Sequence, residues 1–250
     1  MRATSRPASW NADPTWSATG RTAPAVLVAG GTGALGTAVT RTLLSAGYPV
    51  TATWRSQRQR DAVDRELSDL GELTLVQAEL TDPAAVDSVV GAVAGLGAIV
   101  NLVGIYAAGR NVAETDLEDF ERLLRLNLVP NFLLAQAAIP RLVARGGGSF
   151  VAVSARAALR PFAGAAGYIT AKAGVLAFVQ ALDAEYRTEG IRCNAIVPSI
   201  IDTPTNRRTW PDADHSRWVP PDDIAEVVRF LVSEGSTATS GAAIPVYGRA

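Results

Sequence analysis

Tyr168 and Lys172 stand four residues apart in Tyr-Ile-Thr-Ala-Lys, so on a helix they share one face, a turn from each other. A phenol ordinarily gives up its proton only near pH 10. A neighbouring ammonium favours the ionised form and brings the group into range for proton transfer at neutral pH. In such a pair lysine tunes and tyrosine transfers. The same spacing also occurs on exposed helices without chemistry, so the surroundings must decide. Two polar residues lie upstream in apolar company: Asn127 among Leu124, Leu126 and Leu128, and Ser154 after Phe-Val-Ala-Val. Burying the Asn127 amide unsatisfied would cost about 1–3 kcal/mol. It therefore either ties down a helix bend or serves a water or reacting side chain.

The elements that must position these groups begin at Val26-Leu-Val-Ala-Gly-Gly-Thr-Gly-Ala-Leu-Gly36, where an apolar run breaks into glycines and resumes with helical spacing. This predicts a strand, a tight turn and a helix N-terminus. Gly30, Gly33 and Gly36 let the backbone turn sharply, approach a pyrophosphate and pack helix on strand, while free N–H groups face the anion. Thr32, Ala34 and Leu35 complete that turn. From there the pattern alternates. A helix over Ala34–Ala46 precedes a strand over Val50–Trp54, and a helix over Gln59–Leu70 precedes a strand over Leu73–Ala78. A helix over Pro83–Ala94 then leads to a strand over Ala98–Val103. Consecutive parallel strands need right-handed crossovers, so the expected fold is α/β, a doubly wound parallel sheet with helices on both faces, in three layers. Its ligand crevice should lie at the carboxyl ends of the strands.

At that crevice the end of the second strand faces an adenosine ribose, where a carboxylate would bind the 2′-OH and an arginine a 2′-phosphate. The sequence there is Trp54-Arg55-Ser56, with Arg58 following and no acid. Arg55 can fork onto phosphate, which favours NADPH over NADH unless Arg55 and Arg58 only solvate a loop. Glu79, followed by Leu80, could accept from the adenine amino group or be a plain surface acid. Further on, a long helical pattern over Asp116–Ala144 is interrupted by Pro130 and Pro140, a fifth strand covers Ser149–Ser154, a helix Pro221–Ser233 and a last strand Ala243–Tyr247.

The chain has 250 residues, 48% hydrophobic and 19% charged, with a formal net charge of −1. That suffices for one large-cored domain over residues 25–250, and gives no electrostatic case for nucleic acid or a membrane surface. Met1–Pro24 shows no period and reads as a flexible leader without the apolar region of a secretory signal. No uninterrupted apolar stretch is long enough to cross a bilayer. The single cysteine, Cys193, lies in an apolar run, which predicts a buried inert thiol and suits a cytoplasmic location. No His, Cys, Asp or Glu cluster has metal-ligand spacing, and His215, the one histidine, falls in a polar loop.

Taken in order, Ala29–Gly36, Asn101-Leu-Val-Gly104, Asn127, Ser154, Tyr168 with Lys172, and Asn194-Ala-Ile-Val-Pro198 resemble the short-chain dehydrogenase/reductase family from Ala25 onward. The resemblance implies one Rossmann domain that binds NAD(P)(H), acts on a small molecule and assembles as a homodimer or homotetramer. It makes Tyr168 the acid/base and gives Lys172 the nicotinamide ribose. Asn127 would position a relay water, Thr203 would meet the carboxamide, and Asn101, Gly104 and Pro198 would flank the cofactor.

The sequence departs from the family at the serine. Members usually place it thirteen residues before the tyrosine, where this chain has Ala155, with Ser154 one residue earlier. Either Ser154 still reaches the substrate or the serine is missing. Ser154–Leu159, Asp202-Thr-Pro-Thr-Asn-Arg-Arg208, Pro211–Asp214 and Trp218 resemble quinonoid dihydropteridine reductases, which keep Tyr and Lys but carry alanine for serine. Three readings follow. One is an NADPH-preferring reductase of an activated C=N, quinonoid or carbonyl substrate, and one an ordinary ketone reductase or alcohol dehydrogenase using Ser154. The third is a non-catalytic dinucleotide-binding protein.

Overall fold

The strand β1 (Ala25–Ala29) is buried along its whole length, as a central parallel strand covered on both faces must be. Its neighbours follow from the alternation: α1 (Ala34–Ser45), β2 (Val50–Trp54), α2 (Gln57–Leu67), β3 (Leu73–Gln77), α3 (Pro83–Ala92) and β4 (Leu96–Asn101). The second half adds α4 (Leu117–Asn127), α5 (Val129–Arg145), β5 (Gly148–Val153), α6 (Ala166–Tyr186) and β6 (Ile191–Pro198). It ends with α7 (Pro204–Thr209), α8 (Pro221–Val232) and β7 (Ala243–Val246). This computed structural model describes residues 23–249; the expected leader, apart from Ala23 and Pro24, lies outside them.

All seven strands run parallel in the order β3-β2-β1-β4-β5-β6-β7. Successive residues of a strand point to opposite faces, and the core divides accordingly. Leu27, Ile99, Phe150 and Cys193 pack with Val89, Leu134 and Val175 of α3, α5 and α6. Val26, Val28, Val100 and Val151 pack on the other face with Val39, Val63 and Val228 of α1, α2 and α8. The chain reverses direction across the sheet between β1 and β4, which opens a crevice at their carboxyl ends.

The long helical pattern resolves into two helices. Leu128 lies between them, and Pro130 sits at the start of α5, where its missing N–H costs nothing; Pro140 is accommodated inside the helix. The stretch Leu117–Arg145 counts as long and apolar enough to cross a membrane, at a mean hydropathy of 1.2. Half of it is buried, with Leu133, Leu134, Ala138 and Leu142 in the core, so its apolar character is explained by packing. Cys193 is buried, and burial pushes its thiol up to about 12.

Candidate active site

The opening turn is built by glycines that cannot be replaced locally. Gly30 takes φ +77°, and its N–H donates to Thr53 Oγ1 at 2.9 Å, tying the turn to β2. A Cβ on Gly36 would collide with the Gly30 carbonyl oxygen, so α1 can approach the turn only because that atom is absent. Gly33 caps α1 with no side-chain hydrogen bond, and a Cβ there would meet only the Gly30 oxygen, at 3.5 Å. Among the described residues no side chain caps the first N–H groups of α1, and a Cβ on Gly33 would find room before them. That arrangement fits a phosphate group.

Beside this turn lies a cavity of about 640 Å³ whose walls include Leu35, Gly104, Ser154, Tyr168, Lys172 and Pro198. Helix α6 carries Tyr168 and Lys172 into it together. The Lys172 ammonium is buried and donates to the Val153 carbonyl oxygen at 2.9 Å. Asn127, fully buried at the end of α4, donates from Nδ2 to Leu123 O at 2.9 Å and accepts the Ile105 N–H at 3.0 Å. It thus clamps the loop after β4 to the helix end. A Cβ on Gly104 would come within 2.6 Å of Asn127 Oδ1 and 2.9 Å of Lys172 Nζ, so the bare Gly104 backbone is where the amide and the ammonium converge. Asn101 accepts the Val103 N–H at 3.0 Å, while its buried Nδ2 has no hydrogen-bond partner among the described residues.

The electrostatics differ from the expectation of a phenol held low by its neighbouring ammonium. Burial pushes Tyr168 up to about 12, with Tyr106 acting in the same direction, and burial lowers Lys172 to about 8. Desolvation dominates, with Lys172 buried and Tyr168 partly buried against the Tyr106 ring. Tyr168 is consequently a protonated phenol at neutral pH.

Ser154 is buried, and its hydroxyl donates to the Lys172 carbonyl oxygen at 2.7 Å. Ala155 beside it also lines the cavity. The other expected cofactor residues stand at the carboxyl ends of the strands but outside the cavity wall. Arg55 follows β2 and lies 3.4 Å from Glu79, with the two side chains 67% and 50% exposed, and Ser56 caps α2 without a side-chain bond. Glu79 also accepts from the Thr81 hydroxyl at 2.9 Å, and Leu80 is buried in the core. Thr203 caps α7, accepting the Asn206 N–H at 3.1 Å. The Asp202–Arg208 motif is largely occupied with itself: Arg207 pairs bidentately with Asp202 at 2.5 and 2.7 Å, and Asn206 donates to Ile201 O at 2.8 Å.

Spacing missed the far wall. Tyr106 stands edge-on to Tyr168 with ring centroids 5.1 Å apart, and Trp210 meets Tyr106 at 5.6 Å. Trp218 and His215 extend this aromatic series outward, at 6.2 Å from Trp210 and 4.3 Å from each other respectively. The only signal for Tyr106 was an aromatic residue just past Gly104, in a loop whose course the sequence does not set.

A doubly wound parallel sheet with a glycine turn at its switch point and a buried Tyr–Lys pair defines a dinucleotide-binding oxidoreductase. Residues 24–214 match the short chain dehydrogenase family, and the chain belongs to it; members use NAD(P). It is 29% identical over 235 residues to 2,5-dichloro-2,5-cyclohexadiene-1,4-diol dehydrogenase LinX of Sphingobium indicum, covering 89% of this chain and 94% of that one. A short-chain type dehydrogenase/reductase from Mycobacterium ulcerans superposes with a TM-score of 0.86 at 24% identity, covering 90% of this chain and 89% of that one. An actinorhodin polyketide ketoreductase variant solved with NADPH superposes at 0.84 with 25% identity, over 90% and 96%.

Proposed function

We propose that this oxidoreductase reduces an already activated acceptor, a C=N, quinonoid or reactive carbonyl group, with a quinonoid dihydropterin as one candidate. NADPH is preferred over NADH. The observation that carries this reading is the Ser154 hydroxyl, bonded at 2.7 Å to Lys172 O, with Ala155 at the position thirteen residues before Tyr168. The Ser154 hydroxyl is thereby committed to the backbone and not to an acceptor, which suits a substrate that needs little polarisation.

In this reading the bound nicotinamide supplies the hydride. Tyr168 Oη gives its proton to the acceptor's oxygen or nitrogen, so the substrate gains a hydride at carbon and a proton at the heteroatom. Lys172 supplies positive charge near the phenol while it stays protonated, and Asn127 holds the Gly104 loop and a relay water. Gly30, Thr32, Gly33, Ala34, Leu35 and Gly36 bind the pyrophosphate side, with Asn101, Gly104, Pro198 and Thr203 along the nicotinamide side. Arg55 and Ser56 take a 2′-phosphate, and Glu79 with Leu80 borders the adenine. The ion pair to Glu79 does not withdraw Arg55, because so exposed a pair is worth only about 0–1 kcal/mol.

The enzyme is read as a cytoplasmic homodimer or homotetramer, with residues 25–250 as the catalytic domain. Phe132, exposed on α5 and 6.3 Å from the partly buried Phe178 ring of α6, supports a subunit contact across these helices.

A second reading, a ketone reductase or alcohol dehydrogenase using Ser154, draws on Ser154 lining the same cavity as Tyr168. Substrate profiling of Ser154→Ala separates the two. Retention of activity within about tenfold supports the activated acceptor, whereas a loss of about 10²–10³, the effect of removing an oxyanion donor, would establish Ser154 as the polarising group.

A further inference from the structure

Three cationic side chains line the cavity and, among the described residues, no carboxylate does. One of the three, Lys172, is accounted for by Tyr168 and the Val153 carbonyl. The other two, Arg156 and Arg160, lie on the wall formed by the chain after β5, outside anything assigned above to proton transfer or cofactor binding. The chain turns between them, the Arg160 N–H donating to the Arg156 carbonyl oxygen at 2.8 Å, and both residues line the same cavity.

Arg156 is held without being neutralised. Its Cζ sits 5.0 Å from the centre of the Tyr247 ring, an uncharged partner that fixes the guanidinium by cation–π attraction and leaves its hydrogen-bonding edge free. Tyr247 is itself fixed, because its carbonyl accepts the Ser199 hydroxyl at 2.8 Å and Ser199 also lines the cavity. Neither arginine has a carboxylate partner among the described residues, in contrast to Arg207 nearby, which is spent on Asp202. Much of the remaining wall is apolar, with Val153, Ile105, Ile200, Phe162 and Trp210 beside the polar Tyr106, Ser199 and Asn206. Low-dielectric walls strengthen an unbalanced pair of charges and focus it on whatever enters.

We infer that the substrate is an organic acid: its reducible group sits at Tyr168 and its carboxylate is bound by Arg156 and Arg160. The inference rests on the proposed reading only in taking this cavity as the substrate's, and the pair acts on binding and orientation, not on the chemical step.

The test uses two probes of matched shape, 4-formylbenzoate and its uncharged methyl ester, with the full-length enzyme and NADPH. Calorimetric affinity for the enzyme–NADP⁺ complex is measured alongside kcat/KM. Wild type is expected to bind and turn over the acid better than the ester. Arg156→Gln and Arg160→Gln should each lower acid affinity about ten- to a hundredfold, the span of a charge-assisted contact, with the ester and the KM for NADPH within about twofold. Arg160→Gln is an exposed substitution that leaves the Tyr247 contact intact, so it reports even if Arg156→Gln unfolds. Equal losses for acid and ester, no preference for the acid in wild type, or a rise in the KM for NADPH alone would each overturn the inference. Arginine-dependent binding of the acid without reduction of either aldehyde would support the anion site while counting against the proposed reaction.

Discussion

The hydroxyl of Ser154 donates to the backbone carbonyl of Lys172 at 2.7 Å, so the serine is fastened to the helix that carries the proton donor. That bond ties β5 to α6 at the floor of the cavity. Ser154→Ala removes a buried hydrogen bond and leaves the Lys172 carbonyl without that donor, and it should cost about 1–3 kcal/mol of stability, readable as a lower midpoint in thermal or urea unfolding. Ala155→Ser places a hydroxyl at the neighbouring cavity position and should raise kcat/KM for simple unactivated ketones by about tenfold or more, measured against the parent on the same ketone.

The proton inventory sets a pH profile. With Tyr168 near 12 and Lys172 near 8, the phenol keeps its proton across the neutral range and the lysine is the group that titrates. The kcat for reduction should stay level below about pH 8 and decline above it as the Lys172 charge is lost. Lys172→Arg should extend the plateau to higher pH if the variant stays folded. Tyr168→Phe should cut kcat by about 10²–10⁴ at every pH while NADPH still binds, checked by single-turnover kinetics and calorimetry.

The bare backbone at Gly104 is a sensitive point. A methyl group there would press on Asn127 Oδ1 at 2.6 Å and Lys172 Nζ at 2.9 Å, so something must shift, and the Lys172 ammonium, at the end of a flexible side chain, gives most readily. Gly104→Ala should therefore lower kcat by tenfold or more through displacement of the lysine, with a smaller change in the KM for NADPH. The displacement of groups positioned for reaction justifies about that magnitude.

Asn127 is a separate, structural test. Asn127→Leu leaves the Ile105 N–H without its acceptor in the interior and should destabilise the enzyme by about 1–3 kcal/mol. Equilibrium unfolding measures that loss. Asn127→Asp keeps an acceptor and should recover part of it, which distinguishes the hydrogen bond from simple volume.

For the cofactor, Arg55→Ala should raise the KM for NADPH about tenfold and leave that for NADH within about twofold, since a charge-assisted contact to a 2′-phosphate exists only in the first. Michaelis constants for both nucleotides check this, and an unchanged NADPH value would remove Arg55 from the site.

The scaffold was legible because buried parallel strands write themselves as apolar runs: Ala25–Ala29 and Val50–Trp54 fall where the hydrophobic pattern puts them. The glycine turn was legible for a similar reason, since Gly30 takes a left-handed φ that side chains disfavour and Gly36 occupies a position where no side chain fits. The direction of the Tyr168 shift was not, because spacing fixes which groups adjoin but not how far each lies from water. Tyr106, Trp210, Arg156 and Arg160 were also missed as a set. They come from loops after β4 and β5 and from α7, and only the folded chain brings them to one cavity. Asn127 left two uses open in the sequence. The structure shows the clamp, through Leu123 and Ile105, and the convergence with Lys172 at Gly104.

Trp210 stands in the cavity wall, one ring away from Tyr168 through Tyr106. The chain thereby carries its own optical reporter: indole emission overlaps reduced-nicotinamide absorption, and occupancy of the cavity should dim the first and excite the second. Screening of unlabelled compound collections can then follow the change in the combined emission of the five tryptophans, with Trp210→Phe isolating the share that comes from the cavity wall.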